Sequence, residues 1–481
     1  MKNGRAALAL VLVFCASAAA QSVPADVRVD AFIDAEMAGK RIPGLALAVL
    51  RNGRLVLTGT YGFANLETET PVRPSSVFEL ASLTKPFTAM AAMLLVQDGR
   101  IGLDDPLAKY IDGAPDDWKA VKISHLLSHT AGFVELVEPE WAGSPLMDVT
   151  TKLQLELIMR EPRLFPPGAN ASYSDPGYFL LGMVIEKASG LRYADFMARR
   201  IFEPLEMTST SILDQHRIIK GRVAPYAIRR GRLGRGRRDW QHELPSHFGV
   251  FSSLEDLVKW ERALAEGTLL ARAALEDMWT PARLNDGRLA LVNGRPYGFG
   301  WELGEWNGRR AVGHGGFTGT FLQRFPEDGL TVIVLTNLDL ASGNTPNMIA
   351  LGVAGLVDSR YLPLHMLPPE VDPDPRTTEA IGRFLRGYGT GEALAMLTPA
   401  RKAAFFKMDE GMRTDIAAVW RTTRVITYVK GEDVRGRGVE KQGASVARVL
   451  YYDTTNARES RFFTFWLTAD RLIADFASYR H

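Results

Sequence analysis

One cysteine, Cys15, occurs in the 481 residues. A single sulfur excludes an internal disulfide and any cysteine-built metal cluster. Beyond the N-terminal segment, no apolar run approaches the roughly 18 residues that a membrane-spanning helix needs. Neither sign of charge dominates. The formal net charge is +2, so nothing draws the chain as a whole to nucleic acid or to an anionic membrane. The eight histidines show no metal spacing. His242-Glu-Leu-Pro-Ser lacks the second histidine of a zincin helix. His125 and His129 lie one helical turn apart without a third ligand, and read as parts of a capped structural helix. There is no G-x-S-x-G elbow, no internal repeat and no low-complexity tract. The sequence therefore asks for no metal and no cofactor.

What is present is an ordinary globular composition, 46% hydrophobic and 23% charged, long enough for two or three domains. Residues 1–20 stand apart. Lys2 and Arg5 make a basic start, Ala6 to Phe14 a short apolar core, and Ala18-Ala19-Ala20 before Gln21 a small-residue cleavage site. This is the pattern of a secretory signal peptide, and it predicts a periplasmic or secreted protein. The alternative, a lipid anchor at Cys15, would need a small residue where Phe14 stands. Cleavage after Ala20 would leave a mature chain without cysteine.

Gly44 to Leu50 and Leu55 to Tyr61, joined through Asn52-Gly53, predict a β-hairpin. Apolar residues at Phe87, Met90, Ala91, Leu94 and Leu95 predict a helix with a buried face, stopped at Asp98-Gly99. Further helices are expected over Ile123 to His129, Asp148 to Glu161 and Tyr178 to Ser189, and one is capped by Ser253. Strands are expected over Tyr297 to Leu303, Thr320 to Phe325 and Leu330 to Thr336. Two strands at the front and three at the back, around a helical middle, predict one antiparallel sheet with inserted helices. Residues 229–238 carry six arginines and read as a solvated loop, or as a lip that attracts anionic substrate. The proline-rich stretch 363–375 reads as a linker. After it, two or three helices and then strands near 422–430, 444–453, 460–468 and 471–477 predict a separate small α+β domain, residues 376–481. Its order faintly resembles the cone-shaped domains of the nuclear-transport-factor-2-like type.

The chemistry centres on Phe78-Glu-Leu-Ala-Ser-Leu-Thr-Lys85. Ser82 and Lys85 share a face at a helix start. A serine hydroxyl becomes a nucleophile when a neighbouring base takes its proton, and a lysine with a lowered pKa can be that base. The spacing alone arises about once by chance in a chain of this composition. Two further stretches complete a site. One is Tyr173-Ser-Asp175 in a loop before a helix. The other is Gly313-His314-Gly315-Gly316-Phe317, read as a glycine turn leading into a strand. Tyr-x-Asp recurs at Tyr110, Tyr193 and Tyr451, and His-x-Gly at His247, without those settings.

Together with Leu126-Leu-Ser-His-Thr-Ala-Gly132 and Gly249-Val-Phe-Ser-Ser-Leu-Glu-Asp256, these stretches resemble the β-lactamase-related serine hydrolases. That group includes class C β-lactamases, D,D-peptidases, D-aminopeptidases and related esterases. The resemblance covers about residues 26–360. It implies an α/β fold: a β-lactamase/transpeptidase-like antiparallel sheet flanked by helices with a helical subdomain, over residues 21–362. It implies acylation of Ser82, proton transfer shared by Lys85 and Tyr173 with the base left open between them, and an oxyanion hole from the backbone N–H groups of Ser82 and Phe317. Asp175, His314, Gly315, Gly316 and Phe317 would bind substrate, the glycines by letting it approach the backbone.

Two positions depart from the family pattern. Asp175 stands where the family usually has Asn, and a carboxylate beside Lys85 favours the charged amine. His314-Gly-Gly stands where the β-lactamases and carboxypeptidases mostly carry Lys-Thr-Gly. A mostly neutral histidine suits a substrate carboxylate less, which points toward esters, amides or D-amino-acid peptides. A small-molecule or peptide substrate is expected, with no nucleic acid and no stable membrane span. The alternatives are a cell-wall D,D-carboxypeptidase or β-lactamase, and a non-catalytic binding protein on the same fold.

Overall fold

The computed structural model describes residues 27–135, 148–214, 216–236, 241–367, 369–455 and 460–480. The signal-peptide expectation for residues 1–20 lies outside them, as do Arg237 and Arg238 of the arginine run. The chain divides into two compact units, Met1–Ala354 and Gly355–His481.

The first unit is built on a seven-stranded antiparallel sheet. In spatial order its strands are Glu302–Trp306, Arg309–Gly316, Thr320–Phe325, Leu330–Thr336, Gly44–Arg51, Arg54–Asn65 and Thr70–Pro71. The Asn52-Gly53 hairpin forms as expected, with Arg51 opposite Arg54. Gly44–Arg51 also pairs with Leu330–Thr336, Leu45 opposite Thr336 through Arg51 opposite Leu330. The front and back of the sequence thereby meet at the centre of the sheet. Both central strands are almost wholly buried, which explains why they read as continuous apolar runs rather than alternating ones.

On one face, alternate residues Ala46, Ala48, Leu50, Leu322, Ile333 and Leu335 join the apolar cluster that contains the helices Lys85–Gln97 and Asp175–Ser189. Lys85–Gln97 is buried from Lys85 through Leu95, on all sides rather than on the single face its periodicity suggested. Phe87 stacks on Trp260 with ring centroids 4.1 Å apart. Trp260 belongs to the helix Leu254–Glu266, which is capped as expected by Ser253 Oγ accepting the Asp256 N–H at 3.2 Å.

The sheet has four strands at the back, not three. The stretch expected as a glycine turn is a strand, Arg309–Gly316, bonded on both sides. The expected Tyr297–Leu303 strand is displaced to Glu302–Trp306. The missed signal is another Asn-Gly, at Asn307 (φ +50°) and Gly308 (φ +75°), whose left-handed pair turns one strand into the other. The helix expected from Asp148 begins at Thr151, because Thr150 Oγ1 accepts the Leu153 N–H.

In the second unit, Asp374 caps a helix, Pro375–Arg386. Three more helices follow, Gly391–Ala395, Pro399–Lys407 and Glu410–Trp420. Then comes a four-stranded antiparallel meander of Val425–Asp433, Arg448–Thr455, Ser460–Leu467 and Ile473–Arg480. Phe463, Phe465 and Leu467 alternate into a core with Phe384, Tyr388 and Trp420. The count of four helices exceeds the two or three expected, since short turns separate stretches that read as one.

Candidate active site

Ser82 sits in a 3₁₀ turn, Ala81–Thr84, that runs into the helix starting at Lys85. Ala81 holds a left-handed φ of +49°, rare for a residue with a side chain, directly before the serine. The Lys85 side chain is fully buried. Its Nζ donates to three acceptors: Ser82 Oγ at 3.3 Å, Asp175 Oδ1 at 2.5 Å and the His247 carbonyl at 3.0 Å. These match the three hydrogens of an ammonium one for one.

Asp175 opens the helix Asp175–Ser189, whose N-cap is Ser174, with Ser174 Oγ accepting the Gly177 N–H. Its side chain is 33% exposed. Burial opposes its ionisation most strongly, yet the charge and hydrogen bond of Lys85 together with His247 and His129 outweigh it and hold the carboxyl below its ordinary range. The Asp175 N–H is received by Glu135 Oε2 at 2.8 Å. The helix N-terminus thus faces one carboxylate while its first residue offers another.

Tyr173 lies in the loop just before this helix. Its ring is under Lys85 Nζ, 4.7 Å from the centroid, and its hydroxyl faces the Ser82 side chain. Burial first, then the charge of Asp175, raises its phenol well above the ordinary value. Ser82, Lys85, Tyr173 and Asp175 therefore meet, although 87 residues or more separate the serine turn from the tyrosine loop — a separation only the fold closes.

The strand Arg309–Gly316 brings the last group. A Cβ on Gly316 would lie 2.0 Å from the Leu80 carbonyl oxygen. Thr318 Oγ1 donates to the Glu79 carbonyl and Thr320 Oγ1 to the Leu80 carbonyl. The strand end and the serine turn are in direct contact, with Phe317 at the junction and 47% exposed. Gly316 is needed for the protein's own close approach, a different reason from the substrate access expected of it.

His314 is 1% exposed. Its Nε2 meets the Tyr297 hydroxyl at 3.0 Å and its Nδ1 the Gly315 carbonyl at 2.8 Å. The carbonyl can only accept, so Nδ1 carries the proton and Nε2 accepts from Tyr297. Burial, then the charge of Lys85, pushes this imidazole down to about 3, so it is neutral as expected. Both its nitrogens are engaged inside the protein.

Three participants were not singled out from the sequence. His247, set aside as a look-alike motif, supplies a carbonyl to Lys85. Tyr297 bonds His314. His129, read only as structural, has its ring 4.5 Å from that of Tyr173 and 4.6 Å from that of Tyr297. The Leu126–Gly132 stretch was visible as a motif, but no spacing rule connects it to Tyr173. The arginine run, by contrast, lies in a hairpin, Tyr226–Arg229 with Arg232–Arg235, buried at Tyr226 and Ala227 and exposed from Arg229 to Arg232. Arg229 pairs with Asp339 and Arg235 with Glu67.

A buried lysine thus lies between a serine hydroxyl and a tyrosine, beside a glycine-bearing strand end. The Beta-lactamase family model matches residues 29–353. Penicillin-binding protein 4* of Bacillus subtilis is 31% identical over 317 residues, 61% of this chain and 68% of that protein. D-aminopeptidase of Brucella canis is 27% identical over 323 residues, 64% of this chain and 59% of that protein. The chain thus spans about three fifths of the length of the D-aminopeptidase it matches. Among solved structures, an octameric penicillin-binding protein homologue from Pyrococcus abyssi aligns over 94% of this chain and 96% of its own, with TM-score 0.62 and 22% identity. EstCE1, a hydrolase with promiscuous acyltransferase activity, aligns over 67% of this chain and 96% of its own, with TM-score 0.58 and 22% identity. These two share the fold. The chain belongs to the Beta-lactamase family, and it is an enzyme of the serine hydrolase class.

Proposed function

We propose that the protein forms an acyl-enzyme on Ser82 and hydrolyses a small ester, an amide or a D-amino-acid peptide. The observation that carries this is the contact of Ser82 Oγ with Lys85 Nζ at 3.3 Å, with the Tyr173 ring against the same amine. In this reading Ser82 Oγ attacks the carbonyl carbon as its proton passes to Lys85 or Tyr173. The carbonyl electrons move onto oxygen, held by the N–H groups of Ser82 and Phe317. Tyr173 returns a proton to the departing alcohol or amine, and water then cleaves the acyl group from Ser82.

Lys85 already donates in three directions, so it can accept the serine proton only after giving one up. Asp175 holds that proton in place. The neutral, internally bonded His314 supports esters and amides over substrates whose carboxylate needs a fixed cation. The Brucella D-aminopeptidase similarity supports the same substrate class. The identity to a penicillin-binding protein supports a second reading, cell-wall D,D-peptidase or β-lactamase activity. Export, read from the basic and apolar start of the sequence, belongs to this proposal too.

Intact mass after treatment with a fluorophosphonate probe tests the nucleophile. One adduct is expected on the wild type and none on Ser82→Ala; no adduct on either, or equal adducts, would sink the reading. Turnover of a short-chain nitrophenyl ester against a chromogenic cephalosporin separates the two substrate classes.

A further inference from the structure

We propose that His129 is a positioning residue that sets Tyr173 against Ser82; this rests on the serine hydrolase reading above. The geometry is a clamp made by one residue on both sides of the tyrosine. The His129 carbonyl accepts the Ser172 N–H at 3.0 Å, and the His129 ring accepts the Ser174 N–H at Nδ1, 3.2 Å away. Tyr173 is the residue between those two amides. Its ring then lies 4.5 Å from the imidazole, tilted by 34°.

The clamp is itself held. His129 has a left-handed φ of +59° and is 2% exposed. Two further residues of the motif bind the same incoming loop: Thr130 accepts the Gly168 N–H and Gly132 the Leu164 N–H, each at 2.8 Å. Residues 129–132 thus act as a template on which the chain from Leu164 to Ser174 is laid. The amide of Ser174 can only donate, so Nδ1 must be the unprotonated nitrogen and Nε2 carries the hydrogen. That Nε2 has no hydrogen-bond partner among the described residues. Packed around the ring are Tyr173, Tyr178 and Tyr297, and Tyr297 leads on to His314. A buried, unpartnered N–H is retained where a leucine would pack without that penalty. The acceptor at Nδ1, facing the amide beside Tyr173, is what an apolar residue could not supply.

The test is a double-mutant cycle read by the rate of Ser82 labelling with a fluorophosphonate and by kcat and KM on a nitrophenyl ester. His129→Ala is expected to slow labelling and kcat at least tenfold, with KM within threefold of wild type. His129→Asn is expected to recover most of the rate, since its carbonyl can stand where Nδ1 stands and asparagine tolerates positive φ. In a Tyr173→Phe background the same His129→Ala change is expected to alter labelling less than threefold. An equal loss with and without the tyrosine hydroxyl would overturn the proposal. So would a loss below threefold in the single variant, or no recovery by Asn in a protein that melts at the wild-type temperature. If His129→Ala does not fold, His129→Gln, whose carbonyl is one bond farther out, takes its place in the same cycle with the same outcomes. A wild type that is never labelled overturns the hydrolase reading itself; a labelled wild type insensitive to His129 overturns only this inference.

Discussion

Lys85 Nζ lies closer to Asp175 Oδ1, at 2.5 Å, than to Ser82 Oγ, at 3.3 Å. The amine is bound more tightly to the group that keeps its proton than to the group whose proton it would take. The same carboxylate also raises the phenol of Tyr173. One residue therefore bonds one candidate base and opposes ionisation of the other.

Asp175→Asn should remove that opposition while keeping an oxygen for Lys85 to bond. Activity on a nitrophenyl ester is expected to stay level or rise. A loss greater than tenfold in a variant with unchanged circular dichroism would contradict the assignment of Asp175 as a brake.

Gly316 and Gly315 should respond differently to alanine. At Gly316 the new Cβ meets the Leu80 carbonyl at 2.0 Å and Thr320 Oγ1 at 2.4 Å, so strand and serine turn must part. At Gly315 the nearest atom is the edge of the Phe321 ring at 3.0 Å, which can turn aside. Gly316→Ala is expected to reduce Ser82 labelling at least a hundredfold and Gly315→Ala less than tenfold. Comparable rates for the two would show that the strand does not brace the turn.

Tyr297→Phe removes the donor to His314 Nε2 and leaves a buried acceptor unpaired. The expected loss is about 1–3 kcal/mol of stability, read as a lower chemical-denaturation midpoint with unchanged slope. His314→Gln in the Tyr297→Phe background should add less than it does alone, because the two act as one pair.

Stability should fall on mild acidification. His247 and His314 are held neutral in the fold, with pKa values of about 3, lowered first by burial. An unfolded histidine titrates near 6.5. Above that value neither state is protonated and the stabilisation is complete. Between 6.5 and about 3 the unfolded chain binds protons that the native state refuses, so stability drops as pH falls, by about 1.4 kcal/mol per pH unit for each histidine. Glu135 acts in the opposite sense: loss of water around its carboxylate and the Asp175 charge push it up from 4.5 to about 7, so between those values the native state binds its proton more readily than the unfolded chain. His125, His129 and His242 are lowered in the same sense as these two histidines, and Glu186, Glu261 and Glu302 are raised like Glu135. With five histidines against four carboxyls, unfolding temperatures measured from pH 6.5 down to 4.5 should decline. A flat profile would show that these histidines become charged without unfolding.

The Asn52-Gly53 hairpin, the Ser253 cap and the Gly190 stop were legible because each depends on residues within a few positions of one another. So was the pairing of Ser82 with Lys85, which one helical turn brings together. Arg309–Gly316 escaped because glycine and arginine carry no alternating pattern; the strand exists through its neighbours' hydrogen bonds. By itself, then, the sequence determined the local elements and the residue types of the site, Ser82, Lys85, Tyr173 and His314. Only the tertiary structure decided their relationships. It turned His314 inward onto Tyr297, set Asp175 against a buried ammonium, and set His129 on both flanks of Tyr173. Those contacts join segments 17 to 90 residues apart, and their distances follow from packing of the helices on the sheet, which no local spacing encodes.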